Sequence, residues 1–327
     1  MTTEQSDLLI SVIIPVKNGS AWLDDTIPAI LNQKISGQFE ILVIDSGSTD
    51  NTLSIIEKYP IRLIQIDPEE FNHGLTRNIG VRESKGKYVV MTVQDAKPLT
   101  SEWLQELLNG FLDESVAGVC GQQIVPHHRD KNPVEWFRPI SKPEIRKYQF
   151  ADKNLFKNLT PDKQLALCLW DDVNAMYRRD ILIKLPFQKT DFAEDALWAK
   201  DALLAGYSIV YNTIAQVAHY HQEDYQYAFK RNFIDKYHLY KYFKVVPESK
   251  IGIKRYLSII KLLLRDRKIS FSDKIKWFKY NYQSLKAVNK SNSLLMETLS
   301  KGDDTQLDNL YNKTILSIPQ APSTKCP

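Results

Sequence analysis

The sequence predicts an α/β protein, in which a mostly parallel sheet flanked by helices is followed by a helical region at the carboxyl end. Over the first third of the chain, continuous apolar runs typical of buried parallel strands alternate with stretches whose apolar residues recur at helical spacing. From about residue 225 the sequence becomes helical in period, aromatic and basic. We therefore expect two domains, over residues 1–224 and 225–327.

Each predicted strand is an apolar run that ends at polar or turn-forming residues. After the first run, Asn18 and Gly19 favour a turn, and Trp22 and Ile27 then lie at helical spacing. The predicted strands are residues 9–16, 40–44, 61–66, 88–93, 117–124 and 208–220, and the predicted helices include residues 52–59, 78–84, 101–112 and 195–204. Residues 126–162 are polar and rich in proline, so we expect a long loop there.

The composition excludes several classes of protein. Of the 327 residues, 43% are hydrophobic and 25% are charged, and no internal repeat is present, which excludes disordered chains, solenoids and propellers. No apolar run is long enough to span a bilayer, and Cys120, Cys168 and Cys326 lack the spacing of metal ligands. We therefore expect a cytoplasmic protein whose cysteines are ordinary thiols.

The basic residues are concentrated in one region. The net charge is only +4, but residues 229–283 contain fifteen Lys and Arg against four Asp and Glu. This distribution indicates an anionic partner such as a membrane surface. No recognisable nucleic-acid-binding module accompanies the charges, so a nucleic-acid partner is not expected.

Apolar side chains accompany these charges. They recur on one side of a predicted helix at Tyr256, Leu257, Ile260, Leu263 and Leu264, near Lys254, Lys261, Arg265 and Lys268, and continue at Trp277 and Phe278. Helices of this kind lie in a membrane interface with the apolar side down, which predicts peripheral attachment to the inner face of the cell membrane. Packing against the protein's own core is an equally good interpretation.

Four polar motifs follow predicted strands or precede a predicted helix. They are Val12-Ile-Ile-Pro-Val-Lys-Asn18, Val43-Ile-Asp-Ser-Gly-Ser-Thr-Asp50, Thr92-Val-Gln-Asp-Ala96 and Phe192-Ala-Glu-Asp195. Ligands of α/β sheets bind at the carboxyl ends of the strands, so we expect these motifs to line one site. The motifs of dehydrogenases, P-loop NTPases and serine hydrolases are absent from the sequence.

In this order and spacing, the four motifs resemble the GT-A glycosyltransferases of family 2, and the resemblance covers about residues 9–222. It implies a Rossmann-like fold and transfer of a sugar from a nucleotide-sugar with inversion. Phe71-Asn-His-Gly-Leu-Thr-Arg-Asn-Ile-Gly80, followed by Gln94-Asp-Ala96, is most similar to the rhamnosyltransferase branch. That likeness implies dTDP-rhamnose as donor and a saccharide or lipid-linked acceptor in bacterial polysaccharide synthesis. The alternatives are a UDP-sugar donor or an inactive nucleotide-sugar-binding protein.

Two motifs are candidates for holding the nucleotide. Asp45 can accept hydrogen bonds from a base or ribose, and the backbone beside the base would come from Pro15, Val16, Lys17 and Asn18, with Ser46 next to Asp45. The alternative is that Asp45, Ser46 and Asp50 cap the following helix; we assign capping to Asp50 and ligand binding to Asp45.

The donor diphosphate has its own candidates. Arg77 and Asn78 are predicted to start a helix, where they either bind an anion or form a solvated helix start. Gln94 and Asp95 resemble the family's metal motif with one acid replaced, and one carboxylate is sufficient to hold Mg²⁺ or Mn²⁺ against two phosphate oxygens. His219 is the remaining candidate ligand together with His221, because residues two apart on a strand share a face; an ordinary pair of surface histidines is the alternative.

The last motif is the candidate for catalysis. By the resemblance, Asp195 is the general base that inversion requires and Glu194 is a residue that orients or binds the acceptor; a capping pair is the alternative. The stretch Leu169-Trp-Asp-Asp-Val-Asn174 resembles the region that contacts sugars in relatives. Asp172 and Asn174 are therefore candidates for binding sugar hydroxyls, and Trp170 for stacking on a pyranose or, equally, for packing.

Overall fold

The computed structural model of the protein describes residues 8–128, 130–136, 142–246, 250–265, 269–302 and 304–317. These residues form two compact units. The first takes residues 8–124 and 142–219, and the second takes residues 125–136 together with the described residues from 220 onward. The second unit is therefore built from a segment in the middle of the chain as well as from its carboxyl-terminal part.

The first unit contains a mixed β-sheet. Its described strands are β1 (Leu8–Val16), β2 (Gln38–Asp45), β3 (Arg62–Gln65), β4 (Tyr88–Thr92), β5 (Lys97–Pro98), β6 (Val116–Ile124), β7 (Ile145–Tyr148), β8 (Asn174–Arg178) and β9 (Ser208–Ala218). The strand order is β3-β2-β1-β4-β8-β6-β9-β5, and β7 also pairs with β9. Strands β3, β2, β1 and β4 are parallel, whereas β8 runs antiparallel to both neighbours, β4 and β6.

The described helices flank the sheet or form the second unit. In chain order they are α1 (Leu23–Leu31), α2 (Thr52–Ile56), α3 (His73–Glu83), α4 (Trp103–Asn109), α5 (Pro133–Trp136), α6 (Lys153–Lys157), α7 (Pro161–Leu167), α8 (Arg179–Lys184), α9 (Glu194–Leu204), α10 (Tyr225–Phe243), α11 (Ile253–Arg265), α12 (Phe271–Ser300) and α13 (Asp304–Ser317). Helices α5 and α10 to α13 belong to the second unit.

Strands β1 and β4 are buried along most of their length because helices cover both faces of the sheet. On one face, Ile10, Val12 and Ile14 of β1 belong to the core cluster that includes Ile27 of α1. On the other face, Gly80 of α3 lies so close to β1 that a Cβ atom there would come within 2.5 Å of a side-chain carbon of Ile13. This double burial explains the continuous apolar run that predicts β1.

The direction of the strands brings the candidate site residues to one edge of the sheet. The carboxyl ends of β1, β2 and β4 share this edge because these strands are parallel. Strand β8 is antiparallel to β4, with Thr92 opposite Asn174, so the residues that precede β8 reach the same edge. The ends of β6 and β9 also meet there, since the backbone N–H of His219 donates to the carbonyl of Ile124 at 3.1 Å.

The predicted α/β architecture with carboxyl-terminal helices is confirmed, and the structure corrects three local predictions. Helix α3 starts at His73, five residues before the predicted start, because the Asn72 side chain caps it by accepting the N–H of Leu75 at 3.2 Å. The predicted loop over residues 126–162 contains α5, β7 and α6 in its described part. Strand β8 was not predicted, because polar residues surround its short apolar segment.

The second unit has two described core clusters. Helices α10, α12 and α13 meet at a cluster of Phe233, Tyr237, Leu295, Leu307 and Tyr311. A second cluster contains Val134 of α5, Ile259 and Leu263 of α11, and Trp277 of α12. The predicted exposure of Leu263 and Trp277 on a membrane-facing side is therefore wrong, because both side chains are buried in this core.

Two predictions from composition concern the whole chain. Among the described residues, no helix has the length and apolar character needed to cross a membrane. Cys120 and Cys168 are buried free thiols, and burial raises the pKa of Cys168 to about 12. Cys326 and Lys268 lie outside the described residues.

Candidate functional site

The loop after β1 is fixed by Gln94. The backbone N–H of Lys17 donates to Gln94 Oε1 at 3.0 Å, and Gln94 Nε2 donates to the carbonyl of Lys17 at 3.2 Å. This double contact needs one donor and one acceptor on the same side chain, which an amide offers and a carboxylate does not. Gln94 was predicted as a donor-binding residue. In the structure both groups of its amide bind the backbone of Lys17.

Asp45 ends β2 and is fully buried. Its carboxylate accepts the backbone N–H groups of Gly47 and Ser48, each at 3.2 Å. The carboxylate thus shapes its own turn, and contact with a ribose or base remains a prediction for its remaining acceptor capacity. Asp50 was assigned to capping, and it does accept the backbone N–H of Thr52 at 3.0 Å in the first turn of α2.

The neighbouring residues of the predicted nucleotide site join the β1 and β2 ends. Asn18 has a positive φ of 52°, and its Oδ1 accepts the N–H of Thr49 at 2.8 Å. The hydroxyl of buried Ser46 donates to the carbonyl of Val16 at 3.2 Å. Pro15 lies beside Val16 at the end of β1, so all of these groups lie at the same edge of the sheet. Their contact with a base remains a prediction.

A chain of side chains orients His219 toward Asp95. His219 Nε2 lies 3.6 Å from Asp95 Oδ1, and His219 Nδ1 lies 2.6 Å from Gln123 Oε1. Gln123 in turn donates from Nε2 to the carboxylate of Asp171. Because a carboxylate only accepts, the amide oxygen of Gln123 must face the imidazole, and Nδ1 must carry the proton.

This tautomer fits a bound cation. With the proton on Nδ1, the lone pair of Nε2 points toward the Asp95 carboxylate, and two electron-rich groups face one another unless a proton or a metal ion lies between them. An imidazole nitrogen and a carboxylate oxygen are the donor set of Mn²⁺ or, less readily, Mg²⁺. The residues thus fit the predicted metal, whereas the role of the exposed His221 remains a prediction.

Arg77 is the centre of a buried cluster of charges. Its Nε lies 3.0 Å from Asp172 Oδ2, and its Nη1 lies 2.5 Å from Glu194 Oε1. All three side chains are at most 7% exposed. Burial alone would lower the pKa of Arg77, but the adjacent Glu194 and Asp172 raise it above its ordinary value. Arg77 was predicted to contact a donor phosphate. In this structure its guanidinium contacts the carboxylates of Asp172 and Glu194 instead.

Asp195 lies in the first turn of α9, next to this cluster. Its Oδ1 accepts the N–H of Ala196 at 2.7 Å, and its Oδ2 accepts the N–H of Asp172 at 3.3 Å. Burial raises the pKa of Asp195 well above its usual range, the negative charges of Glu194 and Asp172 raise it further, and Arg77 opposes the rise. A carboxylate whose pKa is raised in this way accepts a proton more readily than an exposed carboxylate does.

Asp172 is locked between two partners. Besides Arg77, it accepts a short hydrogen bond from the hydroxyl of Tyr177. Burial raises the pKa of Asp172 to about 7, although Arg77 and the tyrosine hydroxyl lower it. This side chain therefore changes its charge within the range of pH in which the protein would work, but it is buried and does not offer the predicted contact with sugar hydroxyls.

The other two candidates for sugar binding are also structural. Trp170 is buried, donates from Nε1 to the hydroxyl of Tyr177 at 2.6 Å and packs against Trp198 with ring centroids 5.5 Å apart. Asn174 is buried as well; its Oδ1 accepts from Trp103 Nε1 at 2.8 Å, and its amide donates to two strand carbonyls. These contacts use the groups that were predicted to stack on or bind a sugar, and they favour the packing interpretation of Trp170.

Helix α3 supports the segment that leads into α9. The side chain of Asn78 forms two hydrogen bonds with the backbone of Phe187, at 2.8 and 3.1 Å. Gly74 lets the same segment approach, since a Cβ atom there would lie 2.2 Å from the carbonyl oxygen of Gln188. Asn78 was predicted to bind the donor, but in the structure it holds the chain that carries Glu194 and Asp195.

Four residues that the sequence did not single out complete the site. Gln123, Asp171 and Tyr177 orient predicted residues, and Ala193 precedes α9 with a left-handed φ of 64°. Asp171 adjoins a predicted residue and Gln123 lies next to the last residue of a predicted strand, so both positions were indicated in part by the sequence. The left-handed backbone at an alanine has no signal in the sequence, because glycine is the residue expected there.

Comparisons with known proteins show what this chain is similar to. The model of the family described as Glycosyl transferase family 2 matches residues 11–185. The O-antigen chain rhamnosyltransferase WbaN of Salmonella anatum is 34% identical over 230 residues, which are 68% of this chain and 70% of the relative. The O-antigen chain rhamnosyltransferase RfbN of Salmonella typhimurium is 30% identical over the same shares.

Among solved structures, the chain is similar in fold to the mannosyltransferase PcManGT of Pyrobaculum calidifontis in complex with GDP-Man and Mn²⁺. The similarity has a TM-score of 0.51 at 17% identity and covers 96% of this chain and 84% of that one.

Proposed function

Because the chain belongs to glycosyltransferase family 2, we propose that it transfers L-rhamnose from dTDP-rhamnose, with inversion, to a saccharide or lipid-linked acceptor. The reaction would serve bacterial polysaccharide synthesis. The enzyme is a glycosyltransferase; the donor, the acceptor, the metal and the residue roles are the parts that we propose.

One observation carries the proposal. The pair Asp95 and His219 is joined to Asp195 by a continuous path of contacts at one edge of the sheet, through Gln123 and the Asp171–Asp172 turn. A displacement with inversion needs one group that stabilises the leaving diphosphate and one base that takes the acceptor proton. The path of contacts links the positions of both groups, so a donor and an acceptor bound at this edge would meet both.

In the proposed reaction Asp195 is the base. Its carboxylate takes the proton of the acceptor hydroxyl while the hydroxyl oxygen forms a bond to the anomeric carbon and the bond from that carbon to the diphosphate breaks. The raised pKa of Asp195 makes it a stronger base than an exposed carboxylate. Glu194 contacts Arg77 through its carboxylate, so its proposed task is to fix the start of α9.

Asp95 and His219 would hold Mn²⁺ or Mg²⁺. When bound, the ion neutralises the charge that develops on the diphosphate. Independently of the ion, Gln123 keeps the lone pair of His219 pointing toward Asp95. Lys17, whose backbone is fixed by Gln94, lies exposed at the same edge and is a candidate for a further diphosphate contact.

The donor assignment rests on the relatives. Both curated rhamnosyltransferases are similar to more than two thirds of the chain. By contrast, the Phe71–Gly80 motif does not argue for a particular donor, because Gly74, Arg77 and Asn78 contact the protein's own chain. The lipid-linked form of the acceptor would place the enzyme at an anionic membrane surface, as the basic carboxyl-terminal region predicts.

A panel of labelled donors tests the proposal. We expect turnover with dTDP-rhamnose to exceed turnover with UDP- and GDP-sugars, and we expect calorimetry to show dTDP binding at least as tight as UDP binding. Strong GDP binding without dTDP binding would contradict the donor assignment, and best turnover with a UDP-sugar would favour the alternative donor. Donor binding without transfer to any acceptor would identify an inactive nucleotide-sugar-binding protein.

A further inference from the structure

Two neighbouring helices of the second unit expose apolar side chains in the same pattern. On α11 the exposed residues Ile253, Leu257 and Leu264 are 71%, 57% and 64% exposed, at positions i, i+4 and i+11. The first half of α12 exposes Phe271, Ile275, Phe278 and Tyr282 at positions i, i+4, i+7 and i+11, and the i+7 position of α11 is the half-buried Ile260. We call these seven residues the α11–α12 apolar face. Each helix thus presents one continuous apolar stripe to solvent.

The two stripes lie side by side. The rings of Tyr256 on α11 and Tyr282 on α12 are 5.9 Å apart, and Lys274 Nζ donates to the carbonyl of Leu264 at 3.4 Å, near the end of α11. The opposite sides of the helices carry Ile259 and Trp277, which are buried in the unit's core. The apolar face is therefore additional to the residues that hold the helices in place, and folding of the unit does not account for its exposure.

Basic residues surround this face. The described residues between 250 and 286 include nine lysines and arginines and one acid, Asp273, which takes part in the N-cap of α12. The basic residues are Lys250, Lys254, Arg255, Lys261, Arg265, Lys274, Lys276, Lys279 and Lys286. Apolar stripes bordered by cationic side chains are typical of helices that lie in the interface of an anionic membrane.

We propose that the α11–α12 apolar face inserts into the interface of an anionic lipid membrane, with the surrounding lysines and arginines against the headgroups. The proposal deepens the proposed function, because a lipid-linked acceptor is presented at such a surface. A second copy of the chain fits the face less well. A two-fold contact would bring the same basic residues of both copies together, and their repulsion would oppose the association.

The size of the effect of each substitution on membrane partitioning can be predicted. Each basic residue that reaches an anionic membrane changes the partition coefficient about fivefold, which corresponds to about 1 kcal/mol. Replacing Lys254, Lys261 and Arg265 with Gln should therefore lower partitioning by roughly a hundredfold. Replacing Leu257 and Phe271 with Ser should lower it by at least roughly tenfold for each residue, because the apolar side chains no longer leave water.

The experiment is sedimentation of the full-length protein with vesicles. One set of vesicles contains equal parts of phosphatidylglycerol and phosphatidylcholine, and the other contains phosphatidylcholine alone. We expect the protein to pellet with the first set at about 0.05 M NaCl, to be released at about 0.5 M NaCl, and to stay in solution with the second set. Both sets of substitutions should release it.

Matched substitutions elsewhere control for exposure and charge. Leu112 and Leu155 are as exposed as Leu257, and their double replacement with Ser should leave binding unchanged. The triple replacement of Lys34, Lys163 and Lys184 with Gln removes the same charge from another region and should reduce binding far less. Transfer to an acceptor analogue without lipid, measured in parallel, should be unaffected by every variant, which separates failure of this inference from failure of the proposed function.

Several results would overturn the inference. Equal pelleting with both vesicle types, no pelleting at low salt, or equal release by the control variants would each do so. Light scattering that shows a dimer in the parent protein and a monomer in the Leu257→Ser, Phe271→Ser variant would assign the face to a second copy of the chain instead.

Discussion

Replacing Arg77 with Met should both destabilise the protein and slow transfer. The guanidinium and the two carboxylates that it contacts, those of Asp172 and Glu194, are nearly inaccessible to solvent. Removing one partner of a buried ion pair costs about 3–5 kcal/mol, because the charge that remains has no counter-ion. Two carboxylates lose their counter-ion here, so at pH 8 we expect the free energy of unfolding to fall by about 3–5 kcal/mol.

The size of this effect should depend on pH. Asp172 has a pKa of about 7 in the folded protein, above its value of about 3.9 in an unfolded chain, so the folded state retains a proton over this interval. Its contribution to stability is therefore present below about pH 4 and is lost as the pH rises to about 7. Without Arg77 the pKa rises further, Asp172 is neutral at pH 6, and the loss of stability should be smaller there than at pH 8.

The assay is urea unfolding followed by circular dichroism at both pH values, with Arg82→Met, an exposed position on the same helix, as control. Adding Glu194→Gln to Arg77→Met should cost less than the sum of the two single changes. The rise of transfer rate with pH should also move to higher pH, because Arg77 no longer opposes the raised pKa of Asp195. An Arg77→Met protein within about 0.5 kcal/mol of the parent at both pH values would refute the reasoning.

Three further predictions concern single residues. Asp95→Ala should lower turnover by at least roughly a hundredfold in assays with added Mn²⁺ or Mg²⁺, and full activity of the parent protein in EDTA would eliminate the metal assignment. Gln94→Glu cannot donate to the carbonyl of Lys17, so thermal unfolding should show a loss of about 1–2 kcal/mol, and an unchanged stability would argue against that contact. Ala193→Gly should leave stability equal or up to about 1 kcal/mol higher by relieving the left-handed backbone, whereas a marked loss of stability would mean that the methyl group packs favourably.

The sequence predicts the fold well where buried strands produce a clear pattern of apolar residues. Strands β1, β2 and β4 each contain a run of consecutive apolar residues because helices cover both of their faces, and each was recognised within two residues of its observed ends. Strand β8 was missed although it lies at the centre of the sheet. It is only five residues long. Two acidic residues lie shortly before it, its last residue is Arg178 and Arg179 follows, so the apolar pattern is too short and its surroundings too polar for the strand to be recognised.

Missing β8 also explains the errors at the site. Without the strand, Asp172 and Asn174 resemble polar residues of a loop that is open to a sugar; with it, both are buried at the start of a central strand. The motif from Phe71 to Gly80 pointed to the rhamnosyltransferase branch, to which two relatives of the chain belong. A motif does not show which partners its residues contact. The partners of Arg77 lie far along the chain, at a distance that no local pattern specifies.

The isosteric replacement of Asp195 by Asn tests most directly whether Asp195 is the base in transfer. The amide keeps the shape of the side chain but cannot take the acceptor proton. We predict that calorimetry will show donor binding within about twofold of the parent protein, while the rate of transfer from the labelled donor falls by at least roughly a hundredfold. Transfer at the parent rate by the Asp195→Asn protein, with donor binding intact, would place the base elsewhere and contradict the account.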